Sequence, residues 1–292
     1  MTEFHRWIRP FHDLGAGDLP LVGGKNASLA DILSLGKRKG FSVPDGFALT
    51  TDAFRLFLDA NRMRERLHES LTDYRADRTP LEETGRAIRA MVLEGELPPQ
   101  LREGVDEAYA SLGKRCGELE LPVAVRSSAT AEDLPGASFA GLHDTFLNVK
   151  GGAPLHHAVV RCYASLFTDR ALLYRREKGF DESDVALSVG IQQMIRVDGG
   201  SSGVMFTIEP DSGFPHVVLV QGSWGYGESV VKGSVVPDQF LVFKPALARG
   251  LPRPVLERSL GSKRTKLVCA PAGHGVEPEE KPVVEPEAGG VA

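Results

Sequence analysis

Cysteine is nearly absent from this 292-residue chain. There are three, Cys116, Cys162 and Cys269, far apart and without a CxxC pair. That argues against a disulfide framework and a cysteine-based zinc site, and it suits a reducing compartment. No apolar run is long enough to cross a bilayer. Met1 to Pro10 carries charges and a histidine but no apolar signal core, so a cytoplasmic protein is expected. A surplus of positive charge is missing too. The formal net charge of -5 gives no general attraction to nucleic acid or anionic membrane, so neither is expected as a partner. An anionic ligand would have to be held by a local cluster. What remains is ordinary for a globular protein: 42% apolar and 25% charged residues suffice for a sizeable core. The length suits about two domains.

Helical spacing dominates the first half. Asn26 or Ser28 is placed to cap a helix with Leu29, Ile32 and Leu33 as its stripe, and Phe54, Phe57 and Leu58 recur at helical spacing after Thr51. Residues 62–112 read as two or three amphipathic helices interrupted at Leu97-Pro-Pro99, with a solvated charged face. Residues 121–149 are β-like on either side of a small-residue loop, and Leu155 to Arg176 reads as one long helix. Four β-rich segments follow: Ala186–Val197, Gly203–Ile208, Val217–Gln221 and Gln239–Phe243. Turns separate them, so neighbours are expected to be antiparallel. The expected fold class is α+β. Pro271 to Ala292 is mostly Pro, Gly, Glu, Val and Ala and reads as a linker or disordered tail. The expected domains are 1–120, 121–270 and the tail 271–292.

Two elements carry phosphate-type chemistry. In Val123-Ala-Val-Arg126 an apolar strand ends in an arginine, followed by small hydroxyl residues and the loop Pro135-Gly-Ala-Ser-Phe-Ala-Gly141. A fixed cation beside free backbone N–H groups can hold a polyphosphate, and small residues let a loop close over it. A structural carboxylate, Glu132 or Asp133, is the other partner open to Arg126. Gly23-Gly-Lys25 sets an ammonium after two residues that permit close backbone approach. It is not a Walker loop, since Asn26 stands where Ser or Thr is required, and a plain turn with a surface lysine also explains it. Gln192-Gln-Met194 suits either a purine edge or a half-buried strand. Trp224-Gly-Tyr-Gly-Glu228 offers Glu228 to a metal or ribose, or is a structural corner. Asp144, Glu209 and Asp238 are further acids open to Mg²⁺.

Together these pieces resemble one family. Val22-Gly-Gly-Lys-Asn-Ala-Ser-Leu29, Val43-Pro-Asp-Gly-Phe47, Ala124-Val-Arg-Ser-Ser-Ala-Thr-Ala-Glu-Asp133 and Ala137-Ser-Phe-Ala-Gly141 occur in the order of the phosphoenolpyruvate synthase (pyruvate, water dikinase) family. Ala164-Ser-Leu-Phe167, Ser202-Gly-Val-Met-Phe206, Trp224–Glu228 and Gly261-Ser-Lys263 continue it, over about residues 12–270. Pyruvate phosphate dikinase and rifampin phosphotransferase share the architecture. The resemblance implies an ATP-grasp nucleotide-binding domain with a helical insert. It implies ATP and Mg²⁺ as cofactors, and cleavage of ATP to AMP and phosphate while the β-phosphoryl passes to a histidine and then to pyruvate. Lys25 and Arg126 correspond to its catalytic phosphate contacts. Gly136, Ala137, Ser138 and Gly141 match its lid, with Thr145 beyond; Gln192 and Met194 match its adenine edge, and Glu228 belongs to its Trp-Gly-x-Gly-Glu element.

The departures are His143 where Gln is expected and Tyr226 where Leu is usual. The family's acidic metal-binding pair, its Gln-x-Arg-Pro element and its Thr-x-His-Ala phosphohistidine motif are not found in the sequence, and none of the eight histidines has that last setting. The chain is therefore expected to be a C-terminally incomplete ATP-grasp portion, with metal ligands beyond Ala292, inactive alone, reaching pyruvate only through other domains or a complementing chain. The alternatives are a non-catalytic nucleotide-binding module and a fragment of a rifampin phosphotransferase-like enzyme.

Overall fold

The computed structural model describes residues 6–129, 145–179, 186–197, 199–269 and 279–282. The chain divides into two compact units, Met1–Met194 and Ile195–Ala292. In the first, β1 (Ile8–Pro10) leads to the long α1 (Leu19–Lys39), then β2 (Gly46–Leu49) and α2 (Thr51–Ala60). Three helices follow, α3 (Arg64–Arg75), α4 (Leu81–Leu93) and α5 (Pro99–Cys116). Then come β3 (Val123–Ala129), β4 (Thr145–Val149), α6 (Gly152–Ser165), α7 (Asp169–Lys178) and β5 (Leu187–Gln193).

The five strands form one antiparallel sheet in the order β1-β2-β5-β3-β4. Alternation along each strand fills two faces. Val123, Val125, Phe47, Leu49, Val189 and Ile191 enter a large core built with α2 to α7. Ala48 faces the other way, into a smaller cluster with Phe11, Val22, Ala27 and Leu33 beneath α1. The boundary expected at 120/121 falls inside this unit, because β3 is the sheet neighbour of β5 and reaches β2 through it.

Side-chain caps explain where two helices begin. Thr50 and Thr168 each sit in extended backbone and accept from the amide three residues on, Ala53 and Ala171. The Thr168 cap splits the stretch 155–176, read as one helix, into α6 and α7. Arg175 holds the turn between them by donating to the Leu166 carbonyl at 2.7 Å.

The second unit begins with β6 (Ser201–Phe206) and β7 (Val217–Trp224), then α8 (Glu228–Val231), β8 (Asp238–Phe243), α9 (Lys244–Ala248) and β9 (Val255–Ser259). These strands make an antiparallel sheet, β6-β7-β8-β9. β10 (Thr265–Val268) and β11 (Glu279–Pro282) form a separate antiparallel pair. β11 lies inside the stretch read as a linker. Mixed helices and antiparallel sheets make the fold α+β. Among the described residues no helix is long and apolar enough to cross a membrane.

Candidate functional site

β3 lies between β5 and β4, and its alternation decides what each face carries. Val123, Val125 and Ala129 enter the large core, so Ala124, Arg126 and Ser128 face α1. Arg126 pairs with Gly190 of β5 on one side and Thr145 of β4 on the other; Ser128 pairs with Ser188. One row across the sheet therefore reads Thr145–Arg126–Gly190, and the next holds Ser128 and Ser188.

Helix α1 breaks directly over this face. Gly23 has φ 70 and ψ 165, a left-handed conformation inside an otherwise helical run. A Cβ there would stand 2.6 Å from the Ser128 carbonyl oxygen and overlap the Ser128 hydroxyl. The absence of a side chain is thus needed twice, for the dihedral and for the approach. Past the break, buried Asn26 donates its amide to Val22 O at 3.1 Å and to Ser188 Oγ at 3.0 Å. Ser188 in turn donates to Leu49 O at 2.6 Å. A Cβ at Gly190 would collide with the Asn26 carbonyl oxygen. Asn26 therefore locks the restarted helix onto β5 next to Arg126. Lys25, exposed, lies between the break and this lock.

Arg126 is the one exposed residue of β3. Even so, the protein around it removes enough solvent to lower its guanidinium from the ordinary value. The high intrinsic basicity of a guanidinium still keeps it a cation at any physiological pH. Among the described residues no carboxylate meets it. The Ser128 hydroxyl is buried with no hydrogen-bond partner among the described residues. A fixed cation, an unused hydroxyl and a helix restarting at a glycine together suit an anion with several oxygens.

The other expected site residues are more dispersed. Thr145 is exposed at the start of β4, beside Arg126. Gly136, Ala137, Ser138 and Gly141 lie outside the described residues, as do Glu132, Asp133, His143 and Asp144. Gln192 is buried and donates its amide to Pro44 O at 3.0 Å. Met194 is buried, and its sulfur accepts from the Asn148 amide at 2.9 Å. Both make structural contacts within the first unit. Glu228 belongs to the second unit, where its carboxylate pairs with Lys232 at 2.8 Å.

Asp238 is paired with Lys263 and accepts from the Gly261 amide at 2.9 Å, so Gly261-Ser-Lys263 delivers a cation to an acid. Glu209 accepts from the Ser212 hydroxyl and from the amides of Ser212 and Asp211, which holds its carboxyl below the ordinary value. No group of three His, Cys, Asp or Glu among the described residues is arranged to hold a metal.

Three positions were missed as site residues: Ser128, Asn26 and Gly190. Ser128 follows Arg126 by two, which in a strand means the same face; that signal was available. In the sequence Asn26 suits a cap and belongs to the Gly-Gly-Lys-Asn element, with no sign that it reaches β5. Gly190 had no local signal, because only the β3–β5 register brings it to Arg126.

The sequence pattern of the pyruvate phosphate dikinase AMP/ATP-binding domain matches residues 19–288. The chain is 45% identical to phosphoenolpyruvate synthase of Helicobacter pylori over 269 residues, 92% of this chain and 33% of that protein. It is 47% identical to the Escherichia coli phosphoenolpyruvate synthase over 263 residues, 89% of this chain and 33% of the relative. With that of Deinococcus radiodurans it shares 46% over 267 residues, 91% and 34% of the two chains. The chain spans about a third of the length of these curated relatives.

Proposed function

The chain belongs to the family of the pyruvate phosphate dikinase AMP/ATP-binding domain, and from that premise we propose that its first unit grips the phosphates of ATP along the row Thr145–Arg126–Gly190. Lys25 and the backbone at Gly23-Gly24 approach from α1. The observation that carries this reading is Arg126: an exposed cation in a strand otherwise buried, met by no anion among the described residues. The buried, unused Ser128 hydroxyl fits the same ligand, as a donor to a phosphate oxygen. The Gly136–Gly141 segment is the proposed lid, and Gln192 and Met194 are the proposed adenine edge.

The residues do chemistry mainly by charge and position. Lys25 and Arg126 stabilise negative charge spreading over the phosphoryl oxygens, the largest protein contribution to phosphoryl transfer. Asn26 keeps the two cations in register by fixing α1 to β5. Mg²⁺, bound to the phosphates, would neutralise part of their charge; its preference for retained waters makes a complete protein cage unnecessary.

On this reading the fold is of ATP-grasp type. The wider activity is that of a phosphoenolpyruvate synthase, in which the β-phosphoryl of ATP passes through a histidine outside this sequence to pyruvate. The names of the relatives support that assignment. The histidine would come from further sequence or from a complementing chain.

Isothermal titration with ATP and with AMP, in Mg²⁺, tests the site. ATP is expected to bind more tightly. Arg126→Ala should weaken ATP by roughly ten- to hundredfold, the worth of a charge-assisted hydrogen bond, and move AMP less. An Arg126→Ala protein that binds ATP like the wild type contradicts the assignment.

A further inference from the structure

On the opposite side of the first unit, away from the Arg126 face, α2 and α3 enclose a cavity of about 260 Å³ with the turn between α6 and α7. Its walls are apolar: Phe54 and Leu58 from α2, Leu67 and Leu71 from α3, and Leu166 and Phe167 from the turn. Its polar lining is of one sign. Arg64, His68, Thr72 and Arg75 follow one another at helical spacing along the exposed face of α3. Arg55 from α2 and Arg175 from α7 complete the polar lining, Ala186 adds to the apolar walls, and no acid lines the cavity among the described residues.

Three of these arginines have partners within the first unit. Arg55 pairs with Asp52 at 3.0 Å and Arg64 pairs with Asp59. Arg175, fully buried, spends one nitrogen on the Leu166 carbonyl.

We propose that this cavity is a second ligand site, for a small organic anion with an apolar body, its charged end at the α3 rim and its body against Phe54, Leu71 and Phe167. The class is an aryl or short acyl carboxylate, sulfonate or phosphate monoester. An apolar pocket with few convergent polar groups is the usual form of a small-molecule site. The site is independent of the nucleotide assignment, because its apolar walls belong to the large core on the other face of the sheet from Arg126.

Naphthalene-1-sulfonate, titrated calorimetrically into the full chain, tests this. Expected is saturable binding at one site per chain, not displaced by Mg-ATP, and at least about tenfold weaker for the neutral naphthalene-1-sulfonamide. Thr72→Glu places a negative charge at the rim and Thr72→Trp fills the mouth without changing charge. Thr72 is exposed on α3, so both variants should keep the wild-type melting curve. Each should weaken the probe by about tenfold or more. Wild-type affinity in both variants, non-saturable uptake, or displacement by Mg-ATP would overturn the proposal.

Discussion

Gly23 meets two demands that no other residue satisfies together. It takes a left-handed φ, and its α-carbon lies against the Ser128 backbone. Gly23→Ala is expected to destabilise the protein by about 1–3 kcal/mol through backbone strain, more if the Ser128 contact cannot relax. Urea unfolding measures it; an unchanged midpoint would mean the break is not needed where it stands. Asp52, in the first turn of α2, shows the same local balance in charge. Burial pushes its carboxyl up, but hydrogen bonds and charge from Arg6 and Arg55 outweigh that and hold it below the ordinary value. A lowered carboxyl adds stability above its unfolded pKa, and that stability is lost as pH falls through the folded one. Arg6→Ala should therefore raise the Asp52 titration toward its ordinary range, read by NMR, and reduce the acid-side loss of stability.

At the scale of elements, what decides the boundaries is side-chain chemistry. The hydroxyl of Thr50 caps α2, and Thr50→Ala should cost about 1 kcal/mol, seen as a lower urea midpoint with unchanged slope. The paired case, Thr168, also marks a limit of sequence reading. Leu166, Leu172 and Leu173 continue the apolar spacing of α6, so periodicity ran straight through a capped turn. Asn26 misled in the opposite way. Its residue type suits a cap, but its amide is spent across 162 residues on Ser188. The helices of residues 62–112 and the antiparallel run β6 to β8 were legible because amphipathic spacing and turn residues are local. The three-residue β1 and the exposed β9 were not, since such short or polar strands carry no pattern of their own.

For the whole molecule, the candidate site was legible as an ordered set of motifs and illegible as geometry. Lys25 and Arg126 could be named from the sequence; that Arg126 stands between Thr145 and Gly190 follows only from strand register. The two units differ in how well they are buried. The first contains the whole five-stranded sheet and both apolar clusters. In the second, every residue of β8 is only half-buried, and in β7 just Val217 and Ser223 are fully buried. A chain ending at Met194 is therefore expected to melt cooperatively by circular dichroism. Residues 195–292 alone should melt at a lower temperature or without a sharp transition, because a sheet needs a covered face to be stable.

The central claim is that Arg126 and Lys25 form one phosphate grip. It is tested most directly by the shift in melting temperature on adding Mg-ATP to the wild type, Lys25→Ala and Arg126→Ala. A ligand that binds only the folded state stabilises it by RT ln(1 + L/Kd), where L is the free ligand concentration, and so raises the midpoint. The expected result is a clear rise for the wild type and none for either variant, with all three melting alike in the absence of nucleotide. A wild-type shift retained in full by both variants would contradict it.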